Sequence, residues 1–424
     1  MKRKITQMFK KTGLLILVAA FLFACNNDDD LIAACDAATN VSSNSITNNS
    51  AILTWDDSNP TALFSIEYGV SGFSLGGGTS ISVSETNLSL LGLNPSTTYD
   101  VYVQTVCSAS NVSMYTDVYS FTTNAPLVIP EFRPTLSELN LYSGNLENLE
   151  ITPYGFEYDL HSKLFTDYAT KQRFFAIPPG EKLNYNGEGL PVFPNNSVIV
   201  KTFYYNIDDR DPSLGQKIIE TRLLIKIDGS WETGDYKWND AQTEAVLDLN
   251  GSIVPVIWID SDGDTNNVDY EIPANTDCFT CHQTSGSMTP IGPKMRTINF
   301  DFNGLNQIQQ LIDNDMLEGL TEPTNVSLLP KWDDTSVSLE RRARAYMDIN
   351  CAHCHIQGGF CEEESTLRLG YETPYEESSI SERRNSILTR IQNTIPQYGM
   401  PLIGTTILHD EGVEVLIEYI NSLE

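Results

Sequence analysis

Two pentapeptides constrain this chain more than anything else in it: Cys278-Phe279-Thr280-Cys281-His282 and Cys351-Ala352-His353-Cys354-His355. Each reads Cys-x-x-Cys-His, the pattern that attaches a c-type haem. Two thiols add to the porphyrin vinyl groups, and the adjacent imidazole becomes the proximal iron ligand. The spacing is fixed because three bonds must close around one edge of a rigid macrocycle. With 8 cysteines and 5 histidines in 424 residues, chance supplies about 0.002 such motifs. Zinc sites pair Cys-x-x-Cys units about 15–20 residues apart, whereas 69 residues lie between Cys281 and Cys351. A thioredoxin-like motif needs a βαβ unit, and neither motif has one around it. Zinc or a plain disulfide remains the alternative.

Residues 1–24 read as a targeting segment. Met1-Lys2-Arg3-Lys4, Lys10 and Lys11 are a basic start, and Gly13 to Phe23 is a short apolar stretch. A transmembrane helix needs about 20 residues, more than this stretch has. Leu22-Phe23-Ala24-Cys25 fits a lipobox, with Cys25 as the lipidated residue; an uncleaved secretory signal is the alternative. Asn26-Asn27-Asp28-Asp29-Asp30 is either a solvated tether or similar to the acidic export tag of surface lipoproteins in some Gram-negative bacteria. The expected location is the outer membrane, through the lipid alone, on its periplasmic or outer side. Disulfides and covalent haem both belong outside the cytoplasm.

The chain carries 26 basic and 56 acidic residues, a net charge of −30. Loss of residues 1–24 removes five basic residues and leaves −35. Such a charge argues against nucleic acid and anionic membrane surfaces, and steers a basic redox partner toward the protein. The hydrophobic fraction of 41% is ample for globular cores.

Fold class follows from the pattern of segments: an all-β sandwich, a β-rich domain, then an α-helical region with the two motifs. In 35–124, short strand-like runs recur between turn signals: Ser50 to Trp55, Phe64 to Tyr68, Leu88 to Leu90, and Val101 to Cys107. Tyr99, Val101 and Val103 share a face at period 2. This segment resembles a fibronectin type III domain, with Trp55 as the core tryptophan and Leu93 to Tyr99 as the tyrosine corner. Cys35 and Cys107 bracket it and are either a disulfide or two buried thiols.

Residues 125–135 form a linker containing Pro126, Pro130 and Pro134. The unit 136–275 contains strand-like runs at Val198–Tyr205, Ile218–Lys226, Tyr236–Trp238 and Val254–Trp258. It shows no nucleophile–base pair, and its one histidine, His161, reads as an ordinary surface or core residue. Asp260-Ser261-Asp262-Gly263-Asp264 looks like part of a calcium loop with Glu271 at position 12. However, glycine stands at position 4 instead of 6, so a hairpin turn is the better reading, with calcium as the weaker one.

The second motif, in 331–424, is flanked by two predicted helices. Val337–Ile349 has Leu339, Ala343 and Tyr346 on one face, and Asp410–Asn421 has Val413, Leu416, Ile417 and Ile420 on another. Asp410 and Glu411 suit a helix start. Tyr398-Gly399-Met400-Pro401 lies between them. This order resembles a class I cytochrome c, and the resemblance implies Met400 as the sixth ligand of the second haem. A core methionine beside a five-coordinate iron is the alternative.

The first motif, in 276–330, arrives from a strand and Ile272-Pro273 with no helix before it. Pro290-Ile291-Gly292-Pro293-Lys294 resembles the turn whose carbonyl holds the proximal histidine in cytochromes c, which implies that Gly292-Pro293 orients His282. Leu305–Leu317 predicts a helix with Ile308, Leu311 and Ile312 inward. Met288, Met295, Met316 and, more remotely, His409 are the distal candidates.

Residues 150–424 resemble a family of exported bacterial two-haem c-type cytochromes of unassigned role. The matching text includes Leu164 to Ala169, Lys201-Thr202-Phe203, Glu220 to Leu224, Trp238 to Thr243, Pro290 to Lys294 and Arg344 to Asn350. The resemblance implies haem binding and electron transfer, and supplies no substrate. Cys361 is left unpaired. Three functions compete: an electron carrier, a di-haem peroxidase-like enzyme with one open iron, and a glycan- or protein-binding surface lipoprotein with a redox module. The spacing between the motifs is short for a two-haem peroxidase.

Overall fold

The structure, a computed structural model, describes residues 34–59, 63–126 and 131–423. The leader 1–24, Cys25, the acidic run after it and Pro130 lie outside those residues.

Residues 39–122 form two β-sheets, of three and five strands. In strand Ser50–Asp56 the side chains of Ala51, Leu53 and Trp55 are buried and alternate with more accessible neighbours, the period of a half-buried strand. Trp55 meets Phe64 edge-on at 5.3 Å. The Tyr99 hydroxyl accepts the Asn94 N–H at 2.9 Å, a tyrosine corner. Cys35 and Cys107 are disulfide-bonded, so the free-thiol alternative falls away.

The second region is organised by a six-stranded antiparallel sheet. Its order is Ala245–Leu247, Ser230–Trp238, Gln216–Ile227, Val198–Asn206, Thr170–Ala176, Gly155–Glu157. One face is a continuous apolar layer of Phe174, Val198, Val200, Leu223, Ile225 and Tyr236, packed with Leu136, Leu139 and Leu141. The other face has three zones. At one end Phe175, Ile199 and Leu224 join Met295, Ile298, Ile308 and Leu311. At the other, Phe203, Tyr205 and Ile219 join Val256, Trp258, Val268 and Tyr270 of the hairpin Ser252–Ile259/Thr265–Ile272. Between them, Arg173, Lys201, Arg222 and Asp235 stand directly opposite one another on four consecutive strands.

Asp260–Asp264 is the turn of that hairpin. The Asp260 carboxylate accepts the N–H groups of Asp262 and Asp264 and the Asn266 amide. These bonds hold it below the usual carboxylate range.

The segment 276–330 shares its core with the sheet, so packing runs on past residue 275. The helix expected over 305–317 spans only Gln307–Asp313. Asn306 caps its start by accepting the Gln309 N–H. Asp315, at φ +56°, ends it, and Leu317 turns into a short parallel pairing with Leu183.

The C-terminal lobe contains helices Leu339–Asn350, Ile380–Ile391 and Asp410–Asn421 around Ala343, Tyr346, Ile380, Ile387, Leu416, Tyr419 and Ile420. The middle helix was not expected. On the last helix the buried stripe is Gly412, Val415, Leu416, Tyr419 and Ile420, rotated from the expected Val413 and Ile417. Gly412 is the cause: a Cβ there would lie 2.2 Å from the Tyr346 ring. The missing side chain lets the two helices approach and draws that edge inward.

Candidate haem site

The first motif folds as a single turn of helix and the second as a hydrogen-bonded turn just past a helix. Asn275–Asp277 leads the chain out of the strand ending at Ile272, Cys278–Cys281 winds once, and the His282 N–H bonds the Cys278 carbonyl at 2.9 Å. In the second motif the N–H groups of Cys354 and His355 both reach the Cys351 carbonyl, at 3.1 and 3.0 Å. Each turn therefore carries thiol, thiol and imidazole at i, i+3 and i+4, one face of a helix. That is the presentation a doubly tethered haem with a proximal imidazole requires, so the donor sets fit the group.

Both imidazoles are held neutral. The Thr289 carbonyl lies 3.2 Å from His282 Nδ1. A carbonyl only accepts, so Nδ1 carries the proton and Nε2 keeps its lone pair. The expected support from Gly292-Pro293 is absent, because the Gly292 carbonyl serves the Lys294 N–H and the Thr297 hydroxyl. Instead the hairpin Gln283–Thr284/Ser287–Met288 folds Thr289 back onto the motif, and the Thr289 N–H returns to the His282 carbonyl at 2.7 Å. Burial pushes His282 down to about 3, with the charge of Lys201 adding to it, and pushes His355 down to about 4. Both are neutral at pH 7, the ligating form. Nδ1 of His355 is buried without a hydrogen-bond partner among the described residues.

The two turns touch. The Cys354 sulfur lies 3.4 Å from the Thr280 carbonyl, and the Ser285 N–H bonds the Gly358 carbonyl at 2.7 Å. Gly358 has φ +75°, and a Cβ there would stand 2.5 Å from the Ser285 hydroxyl. Donor atoms of Cys281, His353 and Cys354 lie within 4.8 Å of one another. Its hydrogen bond with Cys354 holds Cys281 at about 5, while Cys354, bonded also to Cys361, is pushed far up. Sequence reasoning passed over His353, whose only signal is its place inside the second motif.

The distal candidates scatter. Met295 is fully buried in the core beneath the sheet, and Met316 packs against the same core. Met288 pairs with Gln283 in the hairpin after the first motif. His409 is engaged at both nitrogens, with the Tyr346 hydroxyl 3.0 Å from Nδ1 and Glu411 3.6 Å from Nε2, and it stacks on Phe165 at 4.2 Å. Met400 is half-buried, and its N–H is tied to the Arg390 carbonyl at 3.0 Å.

Residues 164–169 clamp this lobe. The Phe165 N–H bonds Asn350, next to Cys351, at 2.8 Å. Asp167 accepts the N–H groups of Thr406 and Ile407 and the Thr406 hydroxyl. One short loop thus grips the chain on both sides of the Met400 segment. Asp348 does the same for the two motif regions, pairing with Arg296 at 2.7 Å and Lys294 at 3.4 Å. Burial pushes Asp348 up, and the two cations more than reverse this, leaving it below the usual range.

Residues 36–122 match the fibronectin type III domain family. Among solved structures, the fn3 domain of human contactin 1 is 17% identical and covers 23% of this chain and 84% of its own, with a TM-score of 0.21. A myokine structure is 23% identical and covers 22% of this chain and 99% of its own, with a TM-score of 0.20. No curated protein matches the chain. Among the described residues, no helix is long and apolar enough to cross a membrane.

Proposed function

We propose that the chain is a lipid-anchored two-haem c-type cytochrome that carries electrons outside the cytoplasm. Cys278 and Cys281 would tether one haem with His282 as its proximal ligand. Cys351 and Cys354 would tether the other, with His355 proximal and Met400 opposite it. The observation that carries this reading is the paired geometry: a one-turn helix and a hydrogen-bonded turn, each with two thiols and a neutral imidazole at i, i+3 and i+4, in direct contact. When bound, the iron supplies one-electron oxidation and reduction. The chain's part is to hold the imidazoles neutral and oriented and to keep the two attachment turns against each other. An exported fibronectin-type domain with a disulfide suits a compartment where covalent haem is made. The strongly negative surface favours a basic redox partner.

A pyridine haemochrome spectrum with intact mass, on chain co-produced with haem-maturation machinery, tests this. Two covalent haems are expected, and colourless protein at the bare mass rejects the reading. Carbon monoxide should leave the Met400-ligated haem unchanged; binding at the other together with peroxide turnover would favour the peroxidase-like enzyme, and no effect on either haem with no turnover would reject it. Met400→Ala should abolish the methionine–iron absorption band in the red.

A second reading rests on Cys281, His353 and Cys354, with Cys361 bonded to Cys354. Thiolates and an imidazole this close could hold zinc tetrahedrally. One zinc per chain and no haem, found in protein made with maturation machinery present, would favour it.

A further inference from the structure

The charged zone of the sheet has no use in the site as described, and it breaks a rule of sheet design. Arg173, Lys201 and Arg222 are direct cross-strand neighbours on one face, where like charges destabilise a sheet. They lie between two apolar clusters, on the face that the C-terminal segments cover. Arg173 pairs with Asp159 at 2.7 Å. Arg222 makes a two-point bond with Glu220, at 2.6 and 2.9 Å, and Glu220 also accepts the Tyr270 hydroxyl. Lys171 donates to the carbonyls of Leu164 and Ala169. Lys201 is different: among the described residues no carboxylate lies within ion-pairing distance, and its ammonium sits 5.1 Å over the Phe203 ring. Glu220 and Asp235 act on Lys201 at longer range, but both pair with Arg222, so this half-buried lysine lacks a direct ion-pair partner among the described residues.

The first motif is seated on the same face. The Thr233 hydroxyl, two residues before Asp235 on its strand, donates to the Asn275 side-chain amide oxygen at 2.9 Å, and that oxygen is 4.0 Å from the Cys278 sulfur. The charges of Lys201 and Arg222 act on the His282 ring. We infer that Lys201, flanked by Arg222, is the carboxylate-binding subsite for a propionate of the haem tethered at Cys278 and Cys281. Burial, Arg222 and Arg173 together push the Lys201 ammonium down to about 7 in the chain alone. A carboxylate set beside it would restore the charge.

This inference rests on the proposed function, and its test separates the two. The full chain is made with haem-maturation machinery as wild type, Lys201→Met, Lys201→Gln and Lys201→Arg, and covalent haems are counted first. All four should carry two. Potentiometric titration follows, with resonance Raman of the propionate bending modes. Removing a cation beside one haem favours its ferric form, so Lys201→Met and Lys201→Gln should lower one of the two potentials. The expected shift is about tenfold in the redox equilibrium, about 59 mV for one electron. A propionate mode should move with it, and Lys201→Arg should retain both. Two haems with both potentials and the Raman modes unchanged in Lys201→Met and Lys201→Gln would overturn the subsite and leave the cytochrome standing. A wild-type chain without haem would overturn both.

Discussion

The two motifs are nearly the same pentapeptide in two different seats. The second is housed by its own neighbourhood: helices Leu339–Asn350, Ile380–Ile391 and Asp410–Asn421 supply the core around it. The first has almost no local housing. It is laid on a sheet whose strands lie between residues 155 and 247, with a hairpin and one carbonyl to hold its histidine. A Cys-x-x-Cys-His pentapeptide therefore does not dictate its surroundings; it asks only for a tight turn.

That contrast can be tested by breaking one seat at a time. The largest effect should come from Cys278→Ser with Cys281→Ser, against Cys351→Ser with Cys354→Ser. Each pair should reduce the haem count from two to one, measured by mass. Because the turns touch, the surviving haem's potential should shift in both cases. An unshifted survivor would mean that the seats are independent.

Next is Asp167→Ala. It leaves the half-buried N–H groups of Thr406 and Ile407 without their acceptor, and should cost about 2 kcal/mol of stability. Denaturant titration followed at the second haem should report this loss, while the fibronectin-type sandwich keeps its midpoint. Equal loss in both would deny that the clamp acts locally.

The sheet seat should reveal itself through pH. Without cofactor, folded Lys201 releases its proton near 7 while the unfolded side chain holds it to 10.5. The unfolded state binds more protons across that window, so stability should rise from pH 7 to 10.5. Lys201→Met should flatten that rise, read by urea midpoints at several pH values. An unchanged slope would show that Lys201 is better solvated than its position implies. The smallest effect is Tyr346→Phe, which loses the hydroxyl bonded to His409 and should cost about 1 kcal/mol.

The two seats also differed in how far the sequence revealed them. Helix Asp410–Asn421 has the expected bounds although its buried stripe is rotated, and helix Leu339–Asn350 lies within two residues of its expectation. The strands at 198–206 and 216–227 followed from their β-branched residues. Helix Ile380–Ile391 escaped because Ser381-Glu382-Arg383-Arg384-Asn385-Ser386 separates Ile380 from Ile387, leaving one apolar residue per two turns. Thr289 carries no signal as a histidine support, since any residue has a carbonyl; only the hairpin aims it. The contact between the motifs was hidden by the 69 intervening residues. The cation row needed strand register, because Arg173, Lys201 and Arg222 are far apart in sequence and neighbours only across the sheet.

Gly358 has a consequence for rate. With no side chain, it lets the backbone after the second motif rest on Ser285, after the first. On the cytochrome reading this backbone contact acts as a spacer washer, and even one methyl group would thicken it. Tunnelling between metal centres weakens steeply with every ångström, so the tempo of internal transfer would be set by a residue that touches neither iron.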